Sequence, residues 1–273
     1  MWNGQYHFFD YKYNIEGYSG QDYDGAARYI YMIFTIVSII ALLILLRRTS
    51  KKGMERYNKV LACLMPVLEI SKVTWESWWD VTTGRGFNWG GLLPIYTCSL
   101  FIYCMMFMGF GKGKIKEYCA SWVAVYGFVG GFSNVLFIRG LNWYPFWTFG
   151  AFYSMFFHYI MVFTAWFYVI TGYVKFRWSD ILKAFAVNTA FSVPVIVLNS
   201  VFDWDYMQYR DAGGVPLIEG IVDKFKEAGQ GWLSVPLMLL VYFALAAFLV
   251  AVYMGVQKII SLVKKKVSHE IPA

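Results

Sequence analysis

One histidine, His158, lies in the middle of an apolar stretch with no other ionisable side chain except tyrosine hydroxyls. The surrounding residues, FYSMFFHYIMVFTAWFYVI, are numerous enough to form a membrane-spanning helix. A titratable ring at the centre of such a span is costly, so it normally faces the protein interior and has a partner. The other two histidines, His7 and His269, lie near the chain ends. His158 is therefore the first candidate functional residue.

A buried imidazole next to a cysteine can act as a base. It takes the thiol proton and leaves a nucleophilic thiolate. Helical rise, counted inward from the expected outer ends of the spans, places Cys98 roughly 9 Å, Glu69 roughly 13 Å and His158 roughly 16 Å below the outer surface. We therefore expect Cys98 and His158 to form a nucleophile–base pair. A third group normally orients the imidazole, and the candidates are Asn188, Asn199 and Glu69.

The same residues also have structural interpretations. A lone cysteine is more often a small buried apolar residue than a nucleophile. Glu69 and Lys72, three residues apart on one helical face, are expected to pair. A carboxylate at that depth indicates a polar cavity, so a proton or ion pathway is a rival explanation. Tyr96, two residues before Cys98, is placed either to donate a hydrogen bond to an oxyanion or simply to pack.

The sequence contains no recognisable motif for a cofactor or a metal. It lacks a Walker-type loop, GxGxxG, HExxH and GxSxG. The four cysteines include no CxxC pair and no nearby histidine, which favours free thiols; they are Cys63, Cys98, Cys104 and Cys119. We therefore expect neither a cofactor nor a metal site.

The elements that must position these residues are membrane-spanning helices. Hydrophobic residues make up 59% of the chain and charged residues only 15%, and the mean hydropathy is +0.47. A soluble domain is about half apolar and about a quarter charged. The sequence predicts one all-α polytopic domain over 1–273. Its seven transmembrane helices are predicted at 29–46, 57–79, 92–110, 118–137, 146–170, 181–201 and 233–256.

Basic residues follow the first, third, fifth and seventh of these spans and therefore fall on one side of the membrane. Because positive loops stay cytoplasmic, we predict the amino end outside and the carboxyl end in the cytoplasm. The outer side then holds the 80–91 loop, the 138–145 turn and the long 202–232 loop. Within that long loop, 216–227 has the spacing of an amphipathic helix lying on the membrane.

The net charge of +7 does not indicate a nucleic-acid partner, because the basic inner rim explains it and faces anionic lipid. The first 27 residues lack the pattern of a cleavable secretory signal, so the first span is expected to direct insertion. We expect a multi-pass protein of the cell membrane whose partners are lipids. The sequence leaves its oligomeric state open.

Several motifs carry a family resemblance. They occur in this order: LLPIYTCSL (92–100), a glycine-containing span at 126–137, FFHYI (156–160), and a span with Asn188 and Asn199 that ends in DWDYM (203–207). The chain resembles the YwaF-like integral membrane proteins, which include the animal transmembrane protein 164, over roughly residues 25–260. Tyr96 stands where members often have histidine, and Asp205-Tyr206 replaces the usual Asn-Tyr.

This resemblance implies a lipid acyltransferase that uses a cysteine and a histidine to move fatty acyl chains between phospholipids. By position, the cysteine would be Cys98 and the histidine His158. Our leading hypothesis is a ping-pong acyl transfer in which Cys98 forms a thioester and His158 serves as general base and then acid. Asn188 or Glu69 would orient the imidazole.

In this hypothesis the substrate enters from the outer leaflet and contacts Tyr96 and Asn199. The alternative is a small-solute or ion-coupled carrier that uses Glu69, Lys72 and His158 as a polar centre. A third interpretation is a membrane partner of another protein, without catalysis of its own.

Overall fold

The computed structural model describes residues 7–12, 14–15, 26–137, 144–212 and 216–270. For the helical residues 27, 136–137, 216–217 and 260–270 it describes the backbone alone. These ranges are built from helices and connecting segments, and they contain no β-strand. The all-α prediction is therefore confirmed.

The described residues form ten α-helices, which we number in chain order. They are α1 (Ala26–Leu46), α2 (Lys51–Thr82), α3 (Trp89–Leu92), α4 (Leu100–Phe110), α5 (Gly113–Trp122), α6 (Phe128–Phe137), α7 (Phe149–Ile170), α8 (Trp178–Phe202), α9 (Pro216–Glu227) and α10 (Ser234–Glu270). A fully buried π-helical segment, Val123–Gly127, joins α5 to α6. Helix α9 coincides with the amphipathic helix predicted at 216–227.

Four of the helical stretches are long and apolar enough to cross a membrane. They are Arg28–Leu46, Phe149–Ile170, Trp178–Phe202 and Gly231–Ile259. Helices α1, α8 and α10 expose many large apolar side chains, as helices surrounded by lipid do. Helix α2 is long enough, with 32 residues, but it carries charged residues along its length. Helix α4 has only 11 residues.

The prediction of one continuous helix over 92–110 is wrong. Helix α3 ends at Leu92, and α4 begins only at Leu100. Pro94 lacks a backbone N–H and disfavours helical conformation in the residue before it. Leu93 is accordingly extended, with φ −66° and ψ 131°. The helical-rise estimate of the depth of Cys98 therefore does not apply, because Cys98 lies in the non-helical segment.

Helix α7 lies against α1, α2 and α6, and most of its residues are buried. Helix α4 packs along α2, and α8 packs along α5 and α10. Helix α4 approaches α2 closely at Gly109. A Cβ atom there would overlap the Cβ of Ala62 and lie 3.1 Å from the carbonyl oxygen of Asn58. The absence of a side chain at Gly109 thus allows these two helices to touch.

We expect Gly109→Ala to destabilise the folded protein by about 1–3 kcal/mol, because the added methyl group pushes α4 away from α2. The measurement is the thermal unfolding midpoint of the protein purified in detergent. Gly220→Ala is the matched control: Gly220 lies inside α9 with no atom near its would-be Cβ. There the same substitution should be neutral or mildly stabilising. Equal midpoints for the two variants would contradict the packing argument.

Candidate functional site

A buried cluster of charges lies on one face of α2. Glu69, Lys72 and Glu76 are spaced three and four residues apart, so their side chains project from the same side of the helix. The Lys72 ammonium lies 3.4 Å from Oε1 of Glu69 and 3.2 Å from Oε2 of Glu76. The predicted pairing of Glu69 with Lys72 is confirmed. Glu76 is a second carboxylate partner that the sequence analysis did not select.

Two tyrosines complete this cluster. The Tyr153 hydroxyl of α7 donates a hydrogen bond to Oε2 of Glu69. The Tyr144 hydroxyl, from the segment before α7, donates to Oε1 of Glu76 over 2.6 Å. Both glutamates are more than nine-tenths buried. Buried charges persist in a fold only when they are paired and hydrogen-bonded, and each carboxylate here has both kinds of partner.

The amino-terminal segment packs against the same end of α2. The carbonyl oxygen of Phe9 accepts hydrogen bonds of 2.7 Å from the indole N–H groups of Trp75 and Trp79. Burial in this segment lowers the pKa of Lys12 to about 8, although the nearby Glu76 opposes that shift. The end of the bundle that holds the charge cluster is therefore covered by residues 7–12.

We expect Lys72→Met to destabilise the protein by about 3–5 kcal/mol, because it leaves two buried carboxylates without a cation. Folded yield and the thermal midpoint in detergent measure the effect. Lys59→Met removes an exposed lysine from the same helix and should change the midpoint little. If the Lys72 variant melted like the Lys59 variant, the cluster would not be buried as described.

Cys98 lies just before α4 in the segment between α3 and α4. Its sulfur lies near its own backbone N–H and that of Ser99. The thiol also interacts electrostatically with Glu69 and Lys72. The start of α4 and the Lys72 ammonium favour the thiolate form, whereas burial and the Glu69 carboxylate disfavour it. Groups that favour and groups that oppose a thiolate therefore surround this sulfur, so a general base is needed to make it nucleophilic.

Tyr206 holds the segment that leads to Cys98. The Asn199 side chain accepts from the backbone N–H of Tyr206 (3.0 Å) and donates to its carbonyl oxygen (2.8 Å). The Tyr206 hydroxyl in turn accepts from the backbone N–H of Leu93 over 3.1 Å. The Tyr96 ring packs on the Tyr206 ring with centroids 4.6 Å apart. Asn199 and Tyr96 thus meet at Tyr206, and Tyr96 remains 40% exposed.

Tyr242 of α10 provides a second attachment for this segment. Its hydroxyl lies 3.0 Å from the Thr97 hydroxyl, next to Cys98 in sequence. The same hydroxyl donates to the carbonyl oxygen of Met207 over 3.0 Å. Helices α8 and α10, together with residues 206–208, therefore determine where the Cys98 backbone lies.

The His158 imidazole is buried and oriented by its own helix. Its Nδ1 lies 2.8 Å from the carbonyl oxygen of Ser154, which can only accept, so Nδ1 carries the proton and Nε2 keeps a lone pair. The backbone of His158 lies against α6, since a Cβ on Gly131 would be 3.0 Å from its carbonyl oxygen. The neighbouring Phe157 instead contacts Phe101 of α4. No described hydrogen bond joins Cys98 to His158, and the charged groups within electrostatic range of the thiol are Glu69 and Lys72.

Asn188 lies in the core between α8 and the π-helical segment. Its Oδ1 accepts from the Trp122 indole over 3.4 Å, and the residue is completely buried. Its Nδ2 has no hydrogen-bond partner among the described residues. The structure thus places the three groups considered for orienting His158 in other roles, with Asn188 on Trp122, Asn199 on Tyr206 and Glu69 on Tyr153.

Sequence reasoning missed the tyrosines that anchor the site. Their partners are distant in the chain, and tyrosines are too frequent here, at 21, for one to stand out. Two signals were nevertheless present: the seven-residue spacing of Glu69 and Glu76, and the DWDYM motif that contains Tyr206. None of the four cysteines forms a disulfide. Within the described ranges, no three potential metal ligands of the His, Cys, Asp or Glu type converge.

Comparison with known proteins identifies one family. The sequence model of the TMEM164 family matches residues 23–249. This region covers most of the chain and includes the α2 cluster, Cys98, His158, Asn188 and Asn199. It confirms the relation to transmembrane protein 164 that the sequence motifs indicated. No curated protein sequence and no solved structure matches the chain significantly.

Proposed function

The chain belongs to the TMEM164 family, and from that premise we propose that it is a membrane-embedded lipid acyltransferase. Cys98 carries the acyl group as a thioester. The observation that supports this proposal is the placement of Cys98 just before α4, at the positive end of that helix and near the Lys72 ammonium. The helix start and the ammonium stabilise negative charge on sulfur, while burial and the Glu69 carboxylate oppose it, so a general base must take the thiol proton.

The reaction has two half-steps. The Cys98 thiolate attacks the ester carbonyl of a donor phospholipid, the C–O bond breaks, and the departing lysolipid oxygen takes a proton from the general acid. The hydroxyl of an acceptor lipid then gives its proton to the general base and attacks the thioester. The C–S bond breaks, and the Cys98 thiolate is restored. The lipid substrates approach past Tyr96, the exposed residue beside the Cys98 segment.

Two residues are proposed for proton transfer. His158 has an unprotonated Nε2 and stays the base that the sequence predicts, with Ser154 as the group that orients it. Glu69 is the second candidate because its carboxylate lies within electrostatic range of Cys98. Replacing the residue that serves as the base should slow both half-steps.

We expect intact-protein mass spectrometry, after incubation with mixed phospholipids, to show an added fatty-acyl mass that hydroxylamine releases. Cys98→Ser should abolish the adduct. Cys104→Ser should keep it, because Cys104 is a buried thiol of α4 with no predicted role in the reaction. Loss of turnover in His158→Ala but not in Glu69→Gln would identify His158 as the base, and the reverse result would identify Glu69.

A carrier for protons or small solutes is the second candidate function. The observation that favours it is the buried Glu69–Lys72–Glu76 cluster, which has two carboxylates for one ammonium. Intramembrane carboxylates mark ion and proton pathways in transporters. Absence of any acyl adduct on Cys98, combined with gradient-driven uptake that Glu69→Gln abolishes, would replace the acyltransferase proposal by this one.

We also propose that the chain forms a single domain of seven membrane crossings in the cell membrane, with lipids as its partners and no nucleic acid. The α3–α4 region makes the third crossing, its non-helical residues shielded by protein, as non-helical backbone at membrane depth requires. Two hydrogen bonds support opposite directions for α2 and α7. Tyr144, before α7, bonds to Glu76 near the end of α2, and Tyr173, after α7, bonds to Glu55 near the start of α2.

The proposed orientation puts the amino end outside. In a variant with Cys63 replaced by alanine, we expect Gln230→Cys to react with a membrane-impermeant maleimide in intact cells. Lys52→Cys should react only after the membrane is opened. Both positions are exposed in the structure. Labelling of Lys52→Cys in intact cells, with protection of Gln230→Cys, would overturn the orientation.

A further inference from the structure

A second polar site lies at the opposite end of the bundle from Cys98. A cavity of about 690 Å³ is formed where α2, α5 and α8 begin and where the segment 171–177 connects α7 to α8. Three helix amino ends therefore line the same cavity. Each carries a partial positive charge, although Ser50 caps the start of α2 by accepting from the Gly53 N–H, and Asp180 accepts from the Arg177 N–H at the start of α8. The start of α5 has no side-chain cap at all.

The carboxylates in the cavity wall are already bound to neighbouring groups. Glu55 accepts from the Tyr173 hydroxyl (3.0 Å) and forms an ion pair with Lys116. Burial alone would raise the pKa of Glu55, but the hydrogen bonds from Lys116 and Tyr173 lower it below its ordinary value. At neutral pH this carboxylate is ionised and neutralised by its lysine.

Asp180 and Glu117 are bound in the same way on the other side of the cavity. Asp180 accepts from the Ser121 hydroxyl (3.0 Å) and from the backbone N–H of Arg177 (2.8 Å). Lys183 lies 2.6 Å from Glu117 and 3.3 Å from Asp180. These contacts hold the start of α8 against α5.

The remaining cations give the cavity its positive charge. Lys51 and Lys175 line it and have no ion pair among the described residues. Arg177 also lines it, and a guanidinium matches the geometry of phosphate oxygens. With Lys116 and Lys183, the lining has five cations against the three carboxylates described above, a difference of two positive charges.

We propose that this cavity binds the phosphate group of a ligand, either the headgroup of an anionic phospholipid in the adjacent leaflet or a soluble phosphate ester. The uncapped start of α5 supplies backbone N–H donors, and Lys51, Lys175 and Arg177 supply charge. The volume accommodates a phosphate together with a small polar group, and helix α1 ends close by at Leu46, just before Thr49 of the cavity wall. The inference does not depend on acyl transfer at Cys98.

The test uses the full chain purified in an uncharged detergent. Binding of dioleoyl phosphatidylglycerol is measured by native mass spectrometry, with dioleoyl phosphatidylcholine as the zwitterionic comparison. Binding of glycerol 3-phosphate is measured by calorimetry. The cavity variant is Lys51→Gln with Lys175→Gln. The matched control is Lys52→Gln with Lys114→Gln, which removes the same charge from exposed lysines outside the cavity.

We expect the cavity variant to weaken binding of the preferred anion by about tenfold or more, and the control by less than about threefold. Binding of the anionic lipid alone assigns the site to a headgroup, and binding of glycerol 3-phosphate assigns it to soluble phosphate esters. If the two double variants lost the same amount of binding affinity, the loss would come from the overall positive charge of this side of the protein. That result would overturn the proposal. Failure of both probes to bind the unsubstituted protein would also overturn it.

Discussion

A single buried ammonium, that of Lys72, makes it possible for two carboxylates to lie inside this helical bundle. Glu69 and Glu76 cannot remain charged in an apolar interior without it. Their other oxygens bond to Tyr153 and Tyr144, so the cluster also ties α2 to α7 and to the segment before α7. The polarity of the interior near Cys98 follows from this one arrangement.

The second constraint is the interruption of the helix between Leu92 and Leu100. In a continuous helix Cys98 would lie far from the positive helix end. The backbone N–H groups near it would bond to helix carbonyls. The break instead places the sulfur just before the positive end of α4. Tyr206 and Tyr242 compensate for the lost helical bonds by holding the segment from α8 and α10.

The two ends of the bundle therefore have different chemistry. One end combines a cysteine, two carboxylates and one ammonium beneath the amino-terminal segment. The other has a cavity with excess positive charge, where three helices begin. A protein that acts on lipids meets both acyl chains and headgroup phosphates, and these two sites have the corresponding chemistry. The proposed catalytic site and the proposed phosphate site remain separate because they draw on different helices and different charges.

The sequence by itself determined the all-α class, the amphipathic helix α9 and the pairing of Glu69 with Lys72. These features depend on apolar length and on spacing within one helix, which are local properties. Only the tertiary structure decided that Cys98 lies outside a helix, that Tyr153 bonds to Glu69, and that His158 bonds to Ser154 beside α6. Those outcomes depend on contacts between distant segments: Tyr153 and Glu69 are 84 residues apart, and Leu93 and Tyr206 are 113 apart. Depth counted along separate helices cannot reveal which way a side chain turns, because neighbouring residues on a helix point about 100° apart.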